Sequence, residues 1–99
     1  MAYEIQFAES ASRQLKALKA NDRTLLVAEI EKQLSVEPLK QTRNRKPLRP
    51  NPIAPWELRV KNMRVFYDVS SGKPDQVSIL AIGTKRGNKL YIEGTEIRL

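Results

Sequence analysis

Residues 56–69 constrain the fold more than any other stretch of this chain. Trp56, Leu58 and Val60 alternate with Glu57, Arg59 and Lys61, the period-two pattern of a strand that buries one face and wets the other. Lys61-Asn62 is a short polar break, and Met63 to Val69 returns as a second run, so the segment reads as an antiparallel hairpin. Side chains on one strand face project together, which gives Arg59 and Arg64 a common surface if the register pairs them. Phe66 and Tyr67 point to opposite faces; Phe66 is expected inside, leaving Tyr67 to stack on a base or fill a partner's groove. Trp56 is expected in the core or at its rim.

The apolar face of such a hairpin needs a cover, and the N-terminal third supplies one. Tyr3-Glu4-Ile5-Gln6-Phe7 alternates as a short first strand. Glu9-Ser10 offers an acidic residue and a capping hydroxyl, after which Ala11, Leu15 and Leu18 share a helical face opposite Arg13, Gln14 and Lys16. Asn21-Asp22 interrupts the pattern. Asp22 is then the expected cap of a second helix whose Leu26, Ile30 and Leu34 form an apolar stripe widened by Val27 and closed by Pro38. Two such helices are expected as an antiparallel hairpin laid on one face of the sheet, because neither stripe is stable in water.

Between Lys40 and Pro55 the character changes. Lys40, Arg43, Arg45, Lys46 and Arg49 are interleaved with Pro47, Pro50, Pro52 and Pro55, with no acidic residue. This stiffened basic loop is either a solvated connector whose prolines limit the entropy lost on ordering or a ligand-contacting arm, with Leu48 and Ile53 pinning it to the core. Ser70 to Asp75 forms a turn cluster, and Gln76 to Ile82 is an apolar strand of central type. Gly83 to Tyr91 returns to basic loop character, and the last residues are open between strand and short helix.

Composition excludes several chemistries. The chain has 99 residues and 40% hydrophobic content, enough for one domain, residues 1–99, with one modest core. Eighteen Lys and Arg against eleven Asp and Glu give a net charge of +7, which favours polyanions or an acidic protein partner. Without cysteine or histidine there is no disulfide, no zinc-thiolate site and no imidazole for acid-base work. No stretch approaches a membrane span or an export signal, so a soluble cytoplasmic protein is expected.

The order of strand, helix pair, basic proline loop and antiparallel meander resembles the RelE/ParE superfamily of bacterial toxin-antitoxin toxins over nearly the whole chain. The most specific part is Met63-Arg64-Val65-Phe66-Tyr67-Asp68, similar to a block typical of that family, supported by Lys46-Pro47-Leu48 before it and by Ile82-Gly83-Thr84-Lys85-Arg86 with Tyr91 after it. The resemblance implies an α+β fold with two helices on a twisted antiparallel sheet. It implies a cognate acidic antitoxin that lays a helix or strand over the basic groove. In the RelE-like branch it implies ribosome-dependent cleavage of mRNA in the decoding site, which inhibits translation. ParE-like members share the fold but inhibit DNA gyrase, and a toxin-fold protein that only binds RNA or antitoxin is a further reading.

By the RelE-like pattern, Arg64 takes the place of the arginine that stabilises the scissile phosphate. Glu57 and Arg59 stand where some members carry lysines, while Lys85 or Arg86 and Tyr91 match the C-terminal group. Cleavage of RNA by its own 2′-hydroxyl requires removing a proton, stabilising a pentavalent phosphate and protonating the departing 5′-oxygen, none of which obliges a metal or cofactor. Arg64 and Arg59 can supply phosphate donors; the base is open among Glu57, a lysine lowered by neighbouring cations and Tyr91. Arg45, Lys46, Arg49, Lys61, Lys85, Arg86 and Lys89 are the candidate RNA-binding cations. Each has a plainer role: Arg59 and Arg64 as edge-protecting charges, Glu57 as a cross-strand ion-pair partner, Tyr91 as core closure.

Overall fold

The computed structural model describes residues 3–70, 72 and 75–99. Of the expected turn at Ser70 to Asp75, Ser71, Lys73 and Pro74 lie outside the described residues. Strand β1 (Glu4–Phe7) is followed by helices α1 (Glu9–Lys16) and α2 (Ala20–Leu34). Then come β2 (Arg45–Pro47), β3 (Trp56–Val60), β4 (Met63–Ser70), β5 (Gln76–Arg86), β6 (Lys89–Ile92) and β7 (Thr95–Ile97). They form a seven-stranded sheet ordered β2-β3-β4-β5-β6-β7, with β1 paired to β5. All ladders are antiparallel except β1 on β5, because α1 and α2 carry the chain over the sheet before it returns.

The hairpin expected from the sequence is present, with Val60 paired to Met63 across Lys61-Asn62. Lys61 adopts a left-handed φ of 54° to make so tight a return. The β6–β7 turn does the same through Glu93 and Gly94, both at positive φ.

Each face of the sheet has its own core. On the helix side, Leu58, Val60, Met63, Val65, Tyr67, Val77, Ile79 and Ile82 pack with Ala11, Leu26, Ile30 and Leu34. Leu25, not Val27, widens the α2 stripe. On the other side Phe66, Ala81, Leu90 and Ala54 form a smaller cluster, joined by Leu48, Ile53, Leu80, Ile92 and Ile97. The 48–55 segment and the β6–β7 hairpin thus fold over a face that an ordinary two-layer α+β domain leaves wet.

Several local expectations are corrected. Tyr67 is fully buried on the helix side, stacked on Trp56 at 6.1 Å, and its hydroxyl donates to the Pro38 carbonyl at 2.6 Å. Phe66 and Tyr67 are therefore both core, one on each face, and Tyr67 is not available to stack on a base. The helix caps also differ: α1 begins after Ala8 and α2 after Lys19, neither with a side-chain cap, and Asp22 sits in the first turn of α2, where its charge suits the helix dipole.

Ser10 and Gln14 instead serve the sheet. Beyond Ile79 the outer edge of β5 loses β1, and it gains β6 only at Thr84. Across that gap Ser10 Oγ donates to the Leu80 carbonyl at 3.3 Å and Gln14 Oε1 accepts from the Ile82 amide at 2.7 Å. A buried amide without a partner is costly, which explains a buried glutamine on a helix face expected to be solvated.

The basic loop contains β2, paired to β3. Asn51 organises the rest of it, its carboxamide accepting from the Ile53 and Ala54 amides and donating to the Arg49 and Ala54 carbonyls. Leu48 and Ile53 pin it as expected. Strand β5 runs past Ile82 to Arg86, so Gly83 to Arg86 is strand and not loop.

Burial holds the Tyr67 phenol well above its ordinary value, so it stays protonated in the folded state. An unfolded tyrosine ionises near pH 10. The stability from keeping this phenol neutral is complete below that pH and declines as pH rises towards the folded value. Tyr67→Phe is expected to lose about 1–3 kcal/mol at neutral pH through the orphaned Pro38 carbonyl. Denaturant titrations at pH 7 and 10.5 check this: the gap between wild type and variant should narrow at the higher pH.

Candidate nucleic-acid interface

Cross-strand register sorts the charged residues by face. Glu57 pairs with Phe66 and Arg59 with Arg64, so these four turn away from the helices, as does Lys46, which pairs with Glu57. Strand β5 alone would not place Lys85 among them, because Val77 and Ile79 lie on the helix side and strict alternation would send Ala81, Gly83 and Lys85 there too. A bulge intervenes: the β4–β5 register shifts between Phe66 and Tyr67, with Phe66 opposite Ala81 and Tyr67 opposite Ile79. The extra residue, Leu80, inverts every later side chain, so Gly83 faces with Arg64 and Lys85 with Leu90.

The result is a cleft of about 510 Å³ on this face, with Lys46, Arg49, Glu57, Lys85, Lys89 and Arg98 among its lining residues. Its floor carries one buried carboxylate: Glu57 is 6% exposed, with Oε2 4.0 Å from Lys46 Nζ. Glu96, the other acid in the wall, lies 3.5 Å from Arg98. The cations therefore outnumber the carboxylates, and the cleft attracts anions. Arg49 Nη2 donates to the Leu99 carbonyl at 3.5 Å, joining the proline-rich wall to the C-terminal wall.

Arg64 sits beside this floor and is held firmly. It is 8% exposed, and Nη1 donates to the Lys61 and Met63 carbonyls at 2.9 Å each. Nε is buried without a partner. Burial, then the nearby charge of Arg59, pull its pKa below the ordinary guanidinium value, against the raising effect of Glu57. A guanidinium still remains charged at neutral pH. With Nη1 committed to the β3–β4 turn, Nη2 is the end of the fork left for an incoming phosphate oxygen.

The remaining candidates separate by position. Arg45 pairs with Leu58 and faces the helices, where Nη1 donates to the Gln33 and Glu37 carbonyls at 2.7 Å each. It closes the C-terminal end of α2, whose last carbonyls otherwise lack partners, and is not in the cleft. Tyr91 pairs with Thr84, which pairs with Met63, so its ring is on the helix side. The Arg86 guanidinium lies over that ring, 5.4 Å from its centroid. Neither belongs to the group around Arg64. Lys61 is exposed at the hairpin turn.

Two residues escaped the sequence reading. Arg98 lies in the tail whose pattern leaves strand and helix open, so no local signal places it in the cleft wall. Asn51, directly before Pro52, carried the signal of an Asx turn.

Comparisons with known proteins bear on the fold. No protein-family model and no curated protein matches the chain. Among solved structures it is similar to a chain of the crystal structure of the toxin-antitoxin complex RelBE2 from Mycobacterium tuberculosis. The two are 27% identical, the match covers 86% of this chain and 93% of that one, and the TM-score is 0.73. The fold is that of a RelE-family toxin, as the resemblance of the β3–β4 hairpin implied.

Gly83 is a close-packed point between β5 and β6. A Cβ there would meet the Tyr91 carbonyl oxygen at 2.9 Å and side-chain carbons of Ile92 and Leu90 at 3.0 Å. Gly83→Ala is expected to force β6 away from β5 and cost about 1–3 kcal/mol. Denaturant unfolding measures the loss, and a variant as stable as wild type would contradict this packing.

Proposed function

We propose, taking the RelE-type toxin fold as premise, that this chain is a toxin that cleaves messenger RNA in the ribosome and thereby stops translation. The observation that carries the reading is an immobilised arginine, Arg64, beside a cationic cleft whose floor holds the buried carboxylate of Glu57. In this mechanism the RNA strand lies along the open sheet face, its phosphates drawn by Lys46, Arg49 and Lys85. Glu57 accepts the proton of the 2′-hydroxyl, the 2′-oxygen bonds to phosphorus, and charge developing on the phosphoryl oxygens is met by Arg64. A cleft ammonium protonates the departing 5′-oxygen as its bond to phosphorus breaks, leaving a 2′,3′-cyclic phosphate and a 5′-hydroxyl.

Position favours Glu57 as base, since Tyr91 is turned to the helix side. A fixed guanidinium needs no reorganisation as charge develops, the condition under which such donors contribute most. Base recognition and alignment of the scissile bond fall to the ribosome, which supplies the in-line geometry this open cleft does not impose. An acidic antitoxin is the partner that neutralises the cleft; the structural neighbour is itself a toxin-antitoxin complex.

Arg64→Lys keeps the charge but not the fork, and is expected to lower ribosome-dependent cleavage roughly 100-fold or more. Glu57→Gln is expected to lower it comparably while leaving the fold intact by thermal unfolding. Primer extension on translated transcripts measures both, and undiminished cleavage by the arginine variant removes Arg64 from the chemistry. Intact transcripts in growth-arrested cells, together with loss of DNA supercoiling, would support a ParE-like action on gyrase instead.

A further inference from the structure

Two consecutive carbonyls at the β3–β4 turn hold two cationic residues of the site. The Lys61 carbonyl accepts from Arg64 Nη1 at 2.9 Å, and the Asn62 carbonyl accepts from the Lys85 backbone amide at 2.7 Å. The first contact fixes a guanidinium beside the cleft, and the second fixes the backbone of a residue that lines it. The offset between Arg64 and Lys85 is therefore set by one peptide unit, and a rotation within the turn changes it.

That turn has an unusual composition. Val60 and Met63 pair across it, so residues 61 and 62 alone make the return. Two-residue returns place glycine, asparagine or aspartate where φ is positive. Here asparagine stands next door as residue 62, yet the φ of 54° falls on lysine, a type that seldom adopts it. The β6–β7 turn has Gly94 beside Glu93 to share the same conformation, and the β3–β4 turn has no glycine. Lys61 is exposed, so packing of its side chain does not impose the conformation.

The two carbonyls give it a purpose. Both lie downstream of the N–Cα bond of residue 61, while the β3 ladder holds everything upstream, so the sign of φ decides where they point. With φ reversed, Arg64 Nη1 loses its Lys61 acceptor, in a guanidinium whose Nε is already buried without a partner. Sparsely populated backbone held rigidly beside a site is a recurring means of preorganising it.

We propose that Lys61 is a positioning residue: its left-handed backbone, and not its ammonium, sets Arg64 against Lys85 in the geometry the cleft requires. The kinetic consequence rests on the RNA-cleavage reading, whereas the immobility of Arg64 is measurable without it. A donor that needs no rearrangement as charge develops on the phosphate stabilises that charge most, and misplacing such a group by about 1 Å costs up to roughly 100-fold in rate.

Lys61→Asn and Lys61→Val remove the same charge and differ in their tolerance of positive φ, which asparagine accepts and a β-branched side chain opposes. Lys61→Val is expected to lower kcat for ribosome-dependent cleavage roughly tenfold or more with KM little changed. Lys61→Asn is expected to keep kcat within about threefold of wild type and to show its lost charge in KM. NMR of the Arg64 guanidinium, its signals assigned by their loss in Arg64→Lys, supplies the second measure. Slow rotation about the Cζ–Nη bonds is expected in wild type and Lys61→Asn, and averaged signals in Lys61→Val. Thermal unfolding checks that each variant is folded; if Lys61→Val is not, Lys61→Ala, expected between the other two on both measures, takes its place. Equal losses of kcat in the asparagine and valine variants, or Arg64 signals that stay slow in the valine variant, would overturn the positioning role. If the wild type cuts no transcript, the nuclease reading fails alone and the Arg64 signals still decide the role of Lys61.

Discussion

Strand β4 is the constraint on which the molecule depends. Five consecutive residues, Met63 to Tyr67, are buried, so the strand is covered on both faces although its partners β3 and β5 are antiparallel to it. Methionine, valine and tyrosine meet the helices; phenylalanine meets the folded-over loop and C-terminal hairpin, and arginine lies on that same sheet face. A charged side chain at such a place needs its hydrogen bonds supplied locally. The carbonyls of Lys61 and Met63 do so for Arg64, which turns a strand residue into a fixed electrostatic element.

The site follows from how that second cover is built. Because the 48–55 segment and β6–β7 close over Phe66 but leave Lys46 and Lys85 at the cleft that has Glu57 in its floor, the second core and the cleft share one sheet face. Apolar packing holds one end and charge lines the other. Asn51 stiffens one wall and the β6–β7 turn the other, the latter tied to α1 by the Arg13–Glu93 pair at 2.8 Å. That pair is exposed, so it aligns the hairpin without contributing much to stability.

Some arginines that look alike in the sequence have unrelated tasks. Arg45 satisfies the end of α2, Arg64 is anchored beside the cleft floor, and Arg86 rests on an aromatic ring. Arg49 joins the two walls. The net positive charge is thus divided between structural and ligand-facing roles, and composition measures only the sum. The resemblance to RelE-type toxins similarly located the hairpin, but grouped Arg86 and Tyr91 with Arg64, from which the register separates them.

What the sequence by itself determined is the material within one ladder or one helix. Alternation about the polar break at Lys61-Asn62 defined the β3–β4 hairpin and set Glu57 and Arg59 on one strand face, because period two is a local property of the chain; the cross-strand register then brought Arg64 to that face. The α2 stripe of Leu26, Ile30 and Leu34 was legible for the same reason. Only tertiary structure decided the rest. Leu80 bulges because β5 must match β4 on one side while changing partners from β1 to β6 on the other, and that extra residue reverses which of Lys85 and Arg86 reaches the cleft. Gln14 is buried because the same change of partners leaves the Ile82 amide in need of an acceptor. Both outcomes arise from pairing between distant segments, which no pattern confined to one segment encodes.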